Sequence, residues 1–146
     1  MYNLSEKTKS VFAKAAVAAA QTAINGAVVD MTGFDSIVAE AIMGTVTDTN
    51  VCTLKLQAGT LADGSDMVDI AGATIATAAA STNSNQLVEL DVKRFTALGK
   101  KYARAVLTPS VANAALAAMK YRLYDAHNPP PTADASMWKL GQVVGA

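Results

Sequence analysis

The chain has 146 residues, enough for one hydrophobic core and too few for two of ordinary size. It is 51% hydrophobic but only 5% aromatic, so its core buries modest area per residue, at about 25 cal/mol per Å², and assembly with other subunits would add stability. Lysine and arginine total 12 and aspartate and glutamate total 12, which leaves no global field to attract nucleic acid or an anionic membrane.

Residues 7–23 carry Lys7, Lys9 and Lys14 and then "AAVAAA", the outline of a secretory signal. Val17 is the only strongly apolar residue in that middle, which is too weak for one. No run in the chain reaches the roughly 20 apolar residues of a membrane span. We expect a soluble, unprocessed chain. Alanine favours helix intrinsically, yet we expect residues 11–23 to form an extended arm or first strand, with a short helix as the alternative.

Downstream, turn residues divide the chain into short segments: Asn25-Gly26, Thr32-Gly33, Asp48-Thr49-Asn50, Asp63-Gly64, Ala71-Gly72, "STNSN" at 81–85, Gly99 and Pro109-Ser110. The segments between them alternate with a period of two. "SIVAEAIM" is one; in "VCTLKLQA", Cys52, Leu54, Leu56 and Ala58 oppose Thr53, Lys55 and Gln57. In "DMVDIAG", Val68 and Ile70 point inward, and in "QLVELDVK", Val88, Leu90 and Val92 do. Short alternating strands with frequent turns predict an all-β fold, a single β-sandwich or jelly-roll-like domain. Cys52, the only cysteine, excludes an intrachain disulfide and reads as a small buried hydrophobe, compatible with a reducing compartment.

"LADGSDMVD" sets three aspartates around Gly64-Ser65. A calcium loop of the EF-hand kind needs oxygens at alternate positions and a downstream glutamate; here the register is wrong and the next glutamate is Glu89. Asp-Gly between alternating segments is a strong hairpin signal, with positive φ open to Gly64 and local amides open to Asp63 and Asp66. We expect a hairpin turn and no metal. "KRF" at 93–95 and "KKYAR" at 100–104 interleave basic and aromatic residues, but only two aromatics take part; a strand-turn-strand corner, with Phe95 and Tyr102 over the core edge, accounts for them better than nucleic acid.

"VANAALAAMKYRLYDA" (111–126) fits helical spacing at Leu116, Met119 and Leu123. It fits alternation at Ala115, Ala117, Met119, Tyr121 and Leu123, so we expect a strand. Three consecutive prolines then favour a stiff extended tail at 127–146, which carries Met137, Trp138, Leu140, Val143 and Val144 as isolated apolar anchors. His127 is the only histidine, which excludes a multi-histidine metal site within one chain. No nucleophile elbow, phosphate loop or dinucleotide fingerprint is present. No catalytic residue and no cofactor are expected.

The order of these pieces carries a resemblance. "VVDMTGFDSIVAEAIMGTVT", "TLKLQAGTLADGSDMVDIAGATI" and "LVELDVKRFTALGKKYARAVLTP" together resemble small structural proteins of tailed bacteriophages. In these a Gly-[Tyr/Phe]-Asp strand start (Gly33-Phe34-Asp35) precedes an Asp-Gly-Ser hairpin, a "d-i-a-g-a-t" strand end and a "k-r-Y-v-R-v-v" strand. The likeness covers about residues 28–126 and departs at Ala58-Gly59-Thr60-Leu61, where this chain has a longer loop. It implies a non-enzymatic virion protein of the head decoration, or cement, type, on the phage head surface and in the host cytoplasm during assembly. The implied partners are the major capsid protein and further copies of the chain, as a trimer or dimer, with no nucleic acid and no membrane. The other readings are a tail, connector or head-fibre component, and a carbohydrate-binding sandwich module. The expected organisation is an amino-terminal arm or first strand (1–23), a sandwich (24–126) and an extended tail (127–146). Expected contact residues are Leu4, Val11 and Phe12 in the first and Met137, Trp138 and Leu140 in the last, through arms that add strands to a neighbour's sheet edge.

Overall fold

A computed structural model describes Leu4, residues 7–77 and residues 84–127. Within these residues two antiparallel sheets pack face to face as an all-β sandwich. The strands are β1 (Lys9–Lys14), β2 (Val17–Ala20), β3 (Ile24–Asn25), β4 (Val29–Asp30), β5 (Phe34–Val46), β6 (Val51–Gly59), β7 (Val68–Ala76), β8 (Leu87–Val92), β9 (Tyr102–Ser110) and β10 (Ala114–Ala126). The first sheet has the order β1-β10-β5-β8, with β2 also on β10. The second has the order β3-β9-β6-β7, with β4 also on β9.

Alternation decides which side chains meet. From β5 come Ile37, Ala39, Ala41 and Met43; from β6 Cys52, Leu54, Leu56 and Ala58; from β9 Ala103, Ala105 and Leu107, all buried. Residues 9–14 and 17–20 belong to the first sheet as strands, so the short-helix alternative for 11–23 does not occur there. In β1, Val11 and Ala13 turn into the core while Phe12 faces out at 51% exposure.

Two pairs of expected segments prove to be single edge strands with a break. β1 and β2 both lie along β10, and β3 and β4 both lie along β9. Asn25-Gly26 is therefore an interruption, not a reversal. The cause is Tyr121, whose hydroxyl needs the space: a Cβ on Gly26 would lie 2.3 Å from it. Ala71-Gly72 likewise does not end a strand. β7 runs through it, with Gly72 at φ +77° in a bulge where Lys55 and Gln57 face Thr74 and Asp69.

β10 is a strand, as alternation predicts, but its inward set differs. Ala114, Leu116, Met119, Tyr121 and Leu123 are buried, whereas Ala117 is exposed and Ala115 half-buried. Irregular register on either side of Leu116 shifts the phase, so Leu116 and Met119 both face inward. Helical spacing in the sequence is here the signature of a bulged strand. Val68 shares a face with its buried partner Ala58, but it sits at the corner of the second sheet and stays 54% exposed. Residues 95–98 form a 3-10 turn in place of a bare corner, and Phe95 is fully buried beneath it while Tyr102 is half-buried.

Candidate functional site

The Asp-Gly segment lies in the connection between β6 and β7 and is a turn held by its own carboxylates. The Gly64 amide donates to Leu61 O at 3.1 Å, and Gly64 has φ +72°. Asp63 Oδ1 accepts from the Ser65 amide (2.9 Å) and hydroxyl (2.8 Å). Asp66 reaches back to the end of β6: its Oδ2 accepts from the Thr60 amide (2.7 Å) and hydroxyl, and its Oδ1 from the Leu61 amide (3.0 Å). The loop at 60–61, where the sequence departs from the phage pattern, is what Asp66 ties down. These bonds hold Asp66 at a pKa of about 2, the Thr60 hydroxyl first among the causes, and they lower Asp63 through Ser65.

Asp69 belongs to a different array. On the outer face of the second sheet it accepts from Lys55 Nζ (3.0 Å) and Gln57 Nε2 (2.7 Å), and Gln57 Oε1 in turn accepts from Arg104 Nε (2.9 Å). The result is a polar ladder across β7, β6 and β9 that spends its charges internally. On the outer face of the first sheet Glu40 stands across from Glu89 and pairs with Lys120 at 3.0 Å. Among the described residues no group of three or more His, Cys, Asp or Glu side chains is placed to hold a metal ion. No described helix is long and apolar enough to cross a membrane.

The basic-aromatic segment is also committed to structure. Lys101 Nζ lies 5.3 Å above the Tyr102 ring and 3.8 Å from Asp30, while Asp35 accepts from the Thr96 amide at 2.9 Å. The exposed His127 donates its amide to Gly33 O at 2.8 Å.

Of the expected contact residues, Leu4 is 64% exposed and Phe12 51% exposed, and Val11 faces the core of its own domain. Met137, Trp138 and Leu140 lie outside the described residues. Among the described residues the open surfaces are the outer sheet faces, the strand edges and the end loops. Between β7 and β8, the edges of different sheets, runs a groove of about 300 Å³ lined by Ile70, Gly72, Leu90, Val92 and Leu98 among others.

Three residues that sequence reasoning did not single out organise the molecule. The Tyr121 hydroxyl donates to Ala27 O (2.8 Å) and accepts from the Ala105 amide (2.9 Å), tying β10 to the opposing sheet; burial pushes its pKa up to about 12. Asn50, fully buried, donates to Ser110 O (3.2 Å) and to Ala112 O. Between those carbonyls stands Val111, 70% exposed at φ +68°. Nothing in "PSVAN" announces a left-handed residue, because the usual glycine or asparagine is not at that position.

No family model matches the chain, and no curated protein matches it in sequence. Among solved structures it is similar to the PBSX exported protein XepA, at 16% identity and a TM-score of 0.49, over 100% of this chain and 46% of that one. The chain thus spans about half the length of XepA. A Bacillus structure described as endospore appendages that form a novel family of disulfide-linked pili has 15% identity and a TM-score of 0.42, over 85% of this chain and 95% of that one. Eiger TNF from S. frugiperda has 11% identity and a TM-score of 0.36, over 75% and 69%.

Proposed function

We propose that this chain is a non-enzymatic structural protein of a bacteriophage particle, and within the particle a decoration protein that binds the assembled head and staples capsid subunits. The observation that carries the reading is how the phage-like motifs are used. Asp63 and Asp66 bind their own turn, Asp69 binds the neighbouring strand, and Asp35 binds the residues after Phe95. Each of these aspartates is spent on shape. Beside the outer faces of its sheets, the described chain presents β-strand edge and loop, the material of main-chain pairing and repeated weak contact on a symmetric shell.

The test is co-sedimentation with expanded shells of the parent phage, set against free capsid subunits. The protein is expected to pellet with shells and to ignore free subunits. Deletion of 132–146, and the outward substitution Phe12→Glu, are each expected to weaken binding. A point substitution is used at this end because deleting residues 1–14 would also remove Val11 and Ala13 from the core. Equal binding by both variants would remove the arms from the mechanism, and attachment to tails instead of heads would move the protein to the tail or connector reading.

A further inference from the structure

The two ends of the sandwich differ in kind. One end gathers the 3-10 turn, the Asp63-Gly64 turn and the 30–33 connection, with Asp30, Asp63, Asp66, Arg94, Lys100 and Lys101 among its residues. The other gathers the connections that follow β2, β5 and β9 and those flanking the β7–β8 link. Among the described residues of these connections the only charged one is Asp48: there is none from 15 to 29, from 70 to 77, from 84 to 88 or from 105 to 119, and only Asp48 from 41 to 54, while Lys14 on β1 lines the pocket beside the connection after β2. These stretches are far apart in the chain and meet only through the fold. Asn50 bonds Ser110 and Ala112, the Thr47 amide donates to Asn113 O (2.9 Å), the Val46 amide donates to the Ser84 hydroxyl (2.9 Å), and Cys52 and Thr77 exchange two bonds. The end is stitched into one neutral platform.

In the β9–β10 turn Val111, 70% exposed, occupies the left-handed region, which a β-branched residue avoids. The Ala112 amide closes a tight turn on Ser110 O at 2.8 Å, and buried Asn50 grips both flanking carbonyls. The fold thus holds a valine in an unfavourable backbone in order to point it into solvent. Glycine would suit the backbone better, and the valine side chain contributes no core packing that would offset the strain.

We propose that this charge-poor end, with the exposed Val111 in its β9–β10 turn, is the face that seats on the shell, against an uncharged protein surface with an apolar hollow for the valine. The inference rests on the shell-binding reading above. A face whose one charge is Asp48 disfavours a highly charged partner, because ionic groups buried there without counter-charges lose their hydration and gain nothing. Depletion of charge is also what distinguishes the centre of a protein interface from ordinary surface. The opposite end, with charges of both signs, then faces solvent.

The test compares Val111→Gly and Asn113→Lys at the neutral end with Ala97→Lys at the other, by thermal melting and by co-sedimentation with expanded shells. Val111→Gly is expected to melt no lower than the parent yet bind shells at least tenfold more weakly, and Asn113→Lys to bind comparably weakly. Ala97→Lys is expected to bind as the parent does. Parent binding is expected to hold as salt rises from about 0.05 to about 0.5 M, since no exposed ion pair is there to screen. Parent-level shell binding by both neutral-end variants would overturn the inference and leave the shell reading standing. So would dissociation of a solution oligomer by Val111→Gly with shell binding intact, which would make the face a contact between copies. Failure of the parent itself to bind shells would overturn the function and this face with it.

Discussion

Tyr121 and Gly26 form one unit. The hydroxyl satisfies Ala27 O and the buried Ala105 amide, and it fits only because residue 26 has no side chain. Tyr121→Phe leaves both groups without that partner and should cost about 1–3 kcal/mol by urea denaturation. Gly26→Ala should also destabilise, by a similar amount of about 1–3 kcal/mol, because it drives a methyl into the hydroxyl. In the Tyr121→Phe background the same alanine should cost less, since the atom it strikes is gone; additive costs would show that the two residues act independently. Asp66 contributes to the pH dependence, beside the other aspartates held below the usual range. Its folded pKa of about 2 lies below the ordinary 3.8, so its stabilisation is complete above the ordinary value and is lost as pH falls through about 2. Asp66→Asn should therefore lower the urea midpoint at neutral pH and match the parent near pH 2. A constant gap at all pH values would show that the Thr60 and Leu61 bonds do not depend on the carboxylate's charge.

Strands were legible where both neighbours are strands. β5, β6 and β9 lie inside their sheets, so alternation alone sorts their side chains. Edges were not, because one open side lets a strand bulge or break at little cost. That is why Asn25-Gly26 and Ala71-Gly72, both on edge strands, resemble chain reversals. β10 lies between β1 and β5 and is the interior exception, where irregular register on either side of Leu116 shifts the phase. β7 is the exposed case: Val68 and Ile75 are 54% and 44% exposed, and Asp69 is its only charge, already bound by Lys55 and Gln57. Natural edges are usually protected by charge. Ile75→Lys should reduce concentration-dependent self-association, read by light scattering, with little loss of melting temperature. Unchanged scattering would place any self-association elsewhere.

At the scale of the molecule, the sandwich was readable because a period of two needs no knowledge of which strand meets which. The neutral end was not. Its charge-poor stretches are visible in the sequence, but only the connectivity shows that their described residues meet at one end while the charged turns meet at the other. The fold has a further consequence for the lifetime of the molecule. Asn25-Gly26 and Asp63-Gly64 are the dipeptides most prone to succinimide formation, in which the glycine nitrogen attacks the preceding side chain. Here both nitrogens are occupied, Gly26 donating to Ala105 O at 2.8 Å and Gly64 to Leu61 O at 3.1 Å. The bonds that shape these two segments also slow their chemical ageing, so isoaspartate should accumulate in urea-unfolded protein well before it does in native protein stored for the same time.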